Sequence, residues 1–197
     1  PLFGATVASF DDSAAMEIAG VTAVRQVPSG IAVYAENTFA ALKGRLAVTV
    51  EWDESAAETR SSDEMVEEWL AAARTPAKAT SAEENGDVDA ALSAADQVLE
   101  AEYVFPYLAH APLEPNDGVV EVKEGRVESW IGSQFPTADH GALSGILGSD
   151  PAQTFVNTTF GGGSFGRRAT QGAYFAQELA HVAKAAGGDG AWKLLWT

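Results

Sequence analysis

The chain contains no cysteine, which excludes a disulfide framework, a zinc knuckle and any cysteine-ligated iron–sulfur cluster within it. The same absence leaves the compartment open, because cytosolic and exported proteins alike can lack cysteine. No apolar run approaches the ~18–20 residues that a membrane-spanning helix requires. Basic residues are scarce: 12 Lys and Arg stand against 28 Asp and Glu, a net charge of −16. Contact with a nucleic-acid phosphate backbone needs the opposite balance, so that class of partner is excluded. Also missing are a G-x-S-x-G elbow, a Walker sequence and an H-E-x-x-H pair. With 28 acidic side chains, any carboxylate pair chosen for hydrolysis would be arbitrary.

What is present suffices for a buried core: hydrophobic residues fill 46% of 197 positions, enough for one large domain or two small ones. The start, Pro1-Leu2-Phe3, carries neither an initiator Met nor a signal-like segment. The end, Leu195-Trp196-Thr197, reads as a strand stopped short. The expectation is an excised piece of a longer protein. The acidic charge is concentrated: residues 51–102 hold 15 acidic side chains against Arg60, Arg74 and Lys78, twelve of the sixteen net negative charges. That region, lacking a sustained apolar face, reads as a solvated linker with one short helix over 54–92. An acidic arm recruiting a basic partner, in a non-catalytic interaction domain, is the other reading.

Around it the pattern is α+β. Strands are expected over Thr6–Phe10, Val21–Val27, Gly30–Ala35 and Ala47–Trp52, with helices over Ala14–Gly20 and Phe39–Leu46, the latter capped by Asn37 or Thr38. Residues 1–53 thus form an interleaved β-α-β-β-α-β module. From 93 to 197, strands are expected over Val98–Val104, Gly118–Lys123, Arg126–Ile131, Thr154–Phe160 and Ala191–Trp196. Helices are expected over Asp139–Leu147 and Arg167–Ala186.

Gly161, Gly163 and Gly166 match G-x-G-x-x-G where a strand meets a helix. Such a turn lets backbone approach a ligand and aims N–H groups at an anion. Arg167 and Arg168 suit an oxyanion, and at a helix N-terminus two cations without an anionic partner would oppose the macrodipole. Three readings stay open on these residues: a dinucleotide-binding module, a tight packing turn, and a site for another anion. Asp189 lies near the distance of the ribose-binding acid but in a Gly-rich turn before the strand. Gln134, at the mouth of a strand, can donate one aimed hydrogen bond. His110, Glu114 and Asn116 lie in a segment held extended by Pro106, Pro112 and Pro115. They fall short of a zinc or iron ligand set, and His140 and His181 are isolated.

Taken in order, His110-Ala-Pro-Leu-Glu-Pro115, Trp130-Ile-Gly-Ser-Gln134, Gly162-Gly-Ser-Phe-Gly-Arg-Arg168 and Lys193-Leu-Leu-Trp-Thr197 resemble the large subunit of molybdenum hydroxylases, the xanthine oxidase/aldehyde oxidoreductase group. The branch resembled is that of isoquinoline 1-oxidoreductase beta subunits and membrane-associated aldehyde dehydrogenases. The resemblance implies an α/β hammerhead-like module over 1–53, incomplete at its N-terminus, then an acidic linker over 54–92. The first part of a molybdopterin-binding α+β domain would follow over 93–197. It implies a molybdenum–molybdopterin cofactor in the full-length protein, with Gln134 bonded to an oxygen ligand of molybdenum. Gly162, Gly163, Ser164, Phe165, Gly166 and Arg167 would lie along the cofactor, the N–H groups of Phe165 and Gly166 facing it. Ser164 stands where the family more often has Gly, which is tolerated if its backbone is ordinary. Ala169 stands where purine-oxidising relatives have a substrate-binding Glu, which argues against a xanthine-type substrate. The catalytic Glu is expected downstream of Thr197, so Glu114 is not assigned as the base. Further implied are hydroxylation of an N-heteroaromatic ring or oxidation of an aldehyde, with water as oxygen source. A [2Fe–2S] small subunit, the remainder of the large subunit, and a periplasmic or membrane-associated setting are implied as well.

Overall fold

The computed structural model describes residues 1–75 and 79–196. Pro76-Ala77-Lys78 of the expected linker, and Thr197, lie outside the described residues. Two compact units result: residues 1–57 together with 109–197, and residues 58–108.

In the first unit the amino-terminal elements are β1 (Thr6–Asp11), α1 (Ser13–Met16), β2 (Val21–Val27), β3 (Gly30–Ala35), α2 (Thr38–Ala47) and β4 (Thr49–Asp53). The order matches the interleaved pattern read from the sequence. β1 pairs antiparallel with β4, and β2 with β3. Asn37 caps α2 by accepting the Ala40 N–H at 3.0 Å. Gly44 lets α2 lie close on the hairpin: a Cβ there would sit 2.7 Å from Val33 Cγ1 and 3.0 Å from Val21 Cγ2. α1 is shorter than expected, ending at Met16 rather than near Gly20, because Ile18 N–H turns back to Ala15 O and Val21 N–H to Ile18 O.

The second part of this unit holds β5 (Asp117–Lys123), β6 (Arg126–Ile131), α5 (Pro136–Leu147), β7 (Thr154–Thr158), α6 (Tyr174–Ala185) and β8 (Gly190–Leu195). The four strands make one sheet in the order β7-β6-β5-β8. β5 is antiparallel to both neighbours, whereas β6 and β7 run parallel. A parallel pair requires a crossover, and α5 supplies it. α5 begins three residues earlier than expected, since Pro136 suits the first helical turn. It ends at Gly148 in the left-handed conformation, φ +72°. Val120, Val127, Leu143 and Leu179 are fully buried where α5 and α6 cover the sheet.

The expected helix over Arg167–Ala186 is corrected. Residues Arg167–Ala169 form only a 3-10 turn, and α6 starts at Tyr174. Thr170 is extended and Ala173 takes φ +47°, neither compatible with a continuing α-helix. α6 also closes the amino-terminal core: Tyr34 donates its hydroxyl to Val182 O at 2.7 Å and meets Trp192 edge-on at 5.7 Å. Ser29 adds a bond to Glu178 at 2.8 Å.

The second unit carries α3 (Ser62–Ala73) and α4 (Val88–Ala94). Ser61 and Glu64 form a reciprocal capping box at the start of α3, and Asp87 caps α4. Arg74 grips Glu102 through two bonds of 2.7 and 2.6 Å, and Trp69 meets Tyr107 edge-on. The strand expected over Val98–Val104 is absent. No neighbouring strand pairs with that segment, and Leu99 and Tyr103 point into solvent. Among the described residues no helix is long and apolar enough to cross a membrane.

Candidate functional site

Because β6 and β7 are parallel, with Ile131 opposite Thr158, their carboxyl ends lie side by side. Gln134 follows β6 and the Gly161–Gly166 turn follows β7, so topology alone brings the two together. Crevices at the carboxyl ends of parallel strands are where such sheets bind ligands. The Pro-bracketed segment completes the site from a third direction. Glu114 N–H donates to Gly162 O at 3.3 Å, and the Gly162 N–H donates back to the Glu114 carboxylate.

Within the turn, Gly163 and Gly166 adopt φ +110° and +96°, and Phe165 adopts φ +54°. Ser164 is not among the left-handed residues, so a side chain is tolerated there, as the resemblance required. Phe165 is different: a bulky residue held in the left-handed region carries strain, which persists only where the surroundings enforce it. Its ring is 78% exposed. The strain therefore orients backbone rather than burying the side chain. The N–H groups of Gly163, Ser164, Phe165 and Gly166 have no hydrogen-bond partner among the described residues. Successive unpaired N–H groups in a turned backbone make an anion-binding concavity.

Ser164 also sets the orientation of Gln134. Its hydroxyl donates to Gln134 Oε1 and accepts the Arg168 N–H at 3.0 Å. With Oε1 so engaged, the Gln134 Nε2 donors have no partner among the described residues and remain for a ligand. Gln134 N–H is in turn held by Arg168 O at 3.0 Å.

The two arginines of the motif have opposite fates. Arg167 places its guanidinium over the Trp196 ring, 5.0 Å from the centroid, with no carboxylate in ion-pair range among the described residues. Arg168 turns inward and its side chain is 5% exposed. Its Nε donates to Gly163 O at 3.1 Å, Nη1 to Gly132 O at 3.4 Å and Nη2 to Glu114 O at 3.2 Å. An ion pair to Glu114 Oε1 at 3.4 Å completes the set. The expectation that both cations oppose a helix dipole is therefore corrected, since no α-helix begins there.

Electrostatics follow the geometry. The bond from Gly162 N–H, then the neighbouring Asp117 and Arg168, hold the Glu114 carboxyl below the usual carboxylate range. That is wrong for a general base at neutral pH, in keeping with leaving Glu114 unassigned as one. Burial, with Glu114 nearby, pushes Asp117 up. Burial likewise raises Asp139 on α5, against the lowering effect of the bond from Ser133. Asp139 lines a cleft of ≈ 20 Å³ with Asn116, Gly132, Arg167 and Arg168, room for about one water. Asn116 is 3% exposed, and its side-chain Nδ2 and Oδ1 have no hydrogen-bond partner among the described residues.

Of the other candidates, His110 reaches the turn: a Cβ added to Gly166 would lie 3.9 Å from its Nε2. His140 is occupied by Pro151 O at 3.0 Å, and His181 sits on α6 away from the turn's bonds. The inward role of Arg168 and the burial of Asp139 escaped sequence reasoning. A guanidinium two of whose three carbonyl partners lie 36 and 54 residues away leaves no local pattern.

A mixed sheet with a glycine turn and an oriented amide at the mouth of its parallel pair defines a cofactor-holding α+β protein, and it is not a dinucleotide fold. The turn runs into a 3-10 turn and not directly into an α-helix, and β8 lies at the opposite edge of the sheet from β7. Residues 72–194 match the molybdopterin cofactor-binding domain, more than half of the chain, which therefore belongs to that family. It is 29% identical over 95% of its length to the beta subunit of isoquinoline 1-oxidoreductase from Brevundimonas diminuta, spanning 25% of that protein. It is 24% identical over 83% of its length to a subunit of nicotinate dehydrogenase from Pseudomonas putida, spanning 14%. The fold matches 98% of the chain to quinoline 2-oxidoreductase from Pseudomonas putida 86, with TM-score 0.65, 16% identity and 29% of that chain covered. The aldehyde oxidoreductase of Desulfovibrio gigas gives the same TM-score and identity, with 98% of this chain and 25% of that one covered. The chain thus spans about a quarter or less of the length of these two curated relatives, both of which are named as subunits.

Proposed function

We propose that this chain forms one wall of the molybdopterin site of an oxidoreductase that hydroxylates an N-heteroaromatic ring or oxidises an aldehyde. The observation that carries this reading is the donor set: four consecutive N–H groups over Gly163–Gly166, unpaired among the described residues, beside the Gln134 Nε2 donors, likewise unpaired there. An anionic, oxygen-rich cofactor fits such donors, and the glycines leave its approach open. Gln134, Gly162, Gly163, Ser164, Phe165, Gly166 and Arg167 would hold it.

When bound, the molybdenum–molybdopterin cofactor would supply the two-electron redox chemistry, with water as the source of oxygen. The residues of this chain bind and orient. The left-handed Phe165–Gly166 backbone leaves N–H groups that are unpaired among the described residues, so a ligand can take them without breaking an internal bond. Ser164 selects one face of the Gln134 amide, making it a donor toward the cofactor. Arg167, over the Trp196 ring, adds a cation with no carboxylate in ion-pair range among the described residues. No residue here is assigned as the base, because Glu114 is bound and acidic. The base is expected in a segment beyond Thr197, and isolated residues 1–197 are expected to show no turnover. The names of the two curated relatives support heteroaromatic substrates and a multi-subunit assembly. With no cysteine in this chain, iron–sulfur clusters would belong to a separate [2Fe–2S] subunit.

The test is molybdenum content, by plasma mass spectrometry, of the native protein purified with its co-purifying subunits. About one molybdenum per chain is expected. None, from cells able to make the cofactor, would overturn the reading.

A further inference from the structure

We infer that Arg168 is a positioning residue of this site, whose side chain ties the Gln134 segment, the glycine turn and the Glu114 segment together; this rests on the cofactor reading above. Three segments meet there, and none pairs with the others along its whole length. Residues 112–116 approach from one side, 132–134 leave β6, and 161–168 leave β7. The guanidinium fork reaches a carbonyl on each: Glu114 O, Gly132 O and Gly163 O. Its backbone does the rest, accepting from Gln134 N–H and donating to the Ser164 hydroxyl that orients the Gln134 amide. Removing the fork spares those backbone bonds but takes away the common anchor of Gly132 O, Gly163 O and Glu114 O, so both donor groups loosen together.

The glycines are shaped to this side chain. A Cβ on Gly132 would lie 2.6 Å from Arg168 Nη1, and one on Gly161 would lie 3.2 Å from its Nε. A Cβ on Gly162 would lie 2.7 Å from the Glu114 carboxylate, the arginine's ion-pair partner. Gly161, the residue that opens the apparent nucleotide fingerprint, makes room for an internal arginine. A planar fork is needed because the carbonyls come from different directions; an ammonium cannot reach them all at once.

The experiment compares Arg168→Met, Arg168→Lys, Gly132→Ala and the double variant Arg168→Met/Gly132→Ala in the native protein with its accompanying subunits. Leu179→Ala, in the core and fully buried, serves as a purely destabilising control. Two readouts are taken beside the thermal midpoint: molybdenum per chain, and amide hydrogen exchange of peptides covering 132–134 and 159–168. Loss of groups that orient a site typically costs about 10–100-fold in affinity. Arg168→Met is expected to lower molybdenum retention by about that factor. Gly132→Ala, which displaces the guanidinium sterically, is expected to do the same, and Arg168→Lys to recover part of the loss. The double variant should be no worse than either single one, because both break the same contact.

Exchange at both peptides should rise about tenfold or more in Arg168→Met with the midpoint otherwise accounted for. Wild-type retention and exchange in Arg168→Met would overturn the inference. So would Leu179→Ala losing as much molybdenum as Arg168→Met at a matched midpoint. Wild-type protein without molybdenum would refute the cofactor reading alone. The exchange readout then still decides whether Arg168 holds the two segments together.

Discussion

Adding one methyl group to Gly118 tests the packing of the sheet under the site. Gly118 is buried in β5, between β6 and β8 and beneath α6. A Cβ there would lie 2.4 Å from Ile131 Cγ2, 3.0 Å from Phe175 Cε1 and 3.0 Å from the Trp130 carbonyl oxygen. The first two can shift by repacking; the third is backbone in a paired strand and cannot rotate away. Overfilling a core of this kind costs about 1–3 kcal/mol, and a fixed neighbour places Gly118→Ala in the upper part of that range. Urea unfolding should show a lower midpoint at unchanged slope. The thermal midpoint should fall by about 2–4 °C per kcal/mol for a chain of this size. Ile131 provides an internal check. Ile131→Val keeps Cγ2 and should rescue nothing, whereas Ile131→Ala removes the colliding atom. The double variant with Ile131→Ala should be less destabilised than the sum of its parts by about 0.5–3 kcal/mol. A neutral Gly118→Ala, or equal rescue by Val and Ala, would refute the steric argument.

Two further outcomes are expected. Burial raises Asp139 above its usual 3.8, so the folded state holds its proton more tightly than the unfolded state. Stability from this group is full at acid pH and falls as pH rises through the interval between the two values. Asp139→Asn lacks that fall, so its advantage over wild type should be smallest near pH 3 and grow toward neutrality. A difference independent of pH in a midpoint-versus-pH series would sink the assignment. Tyr34→Phe should cost about 0.5–1.5 kcal/mol, because the buried hydroxyl loses Val182 O while that carbonyl keeps the Ala186 N–H. An unchanged urea midpoint would mean that the hydroxyl contributes nothing across that junction.

The strands β2, β3 and β6 were legible to the residue, since apolar alternation there is bounded by Pro28-Ser29 and by Glu124-Gly125. Gln134 and the glycine turn, which the fold brings side by side, each stand out in the sequence. Their adjacency does not, because it follows from β6 and β7 running parallel, a pairing no local pattern encodes. The start of α6 was misplaced for a different reason. Arg167, Arg168 and Ala169 are helix formers, but Thr170 is extended and Ala173 left-handed, and the turn is closed locally by Ala173 N–H to Thr170 O at 2.9 Å and Tyr174 N–H to Thr170 Oγ1 at 3.4 Å. Arg168 looked like a surface cation for an external anion. Its partners are backbone carbonyls up to 54 residues away, and carbonyls leave no signature in a sequence. The strand over Val98–Val104 had suitable alternation and no neighbour to pair with, so propensity alone did not produce it.

The closure of the amino-terminal core by α6 bears on biogenesis. Val27 and Tyr34 are buried against Val182, Trp192 and Leu194, which leave the ribosome more than a hundred residues later. At typical synthesis rates of roughly 5–20 residues per second, that interval is on the order of ten seconds. Throughout it the β2–β3 hairpin exposes an unsealed apolar face. The nascent amino-terminal half should therefore be a chaperone client until α6 arrives, and variants that weaken α6 should be lost to aggregation during synthesis before any effect on the finished protein is felt.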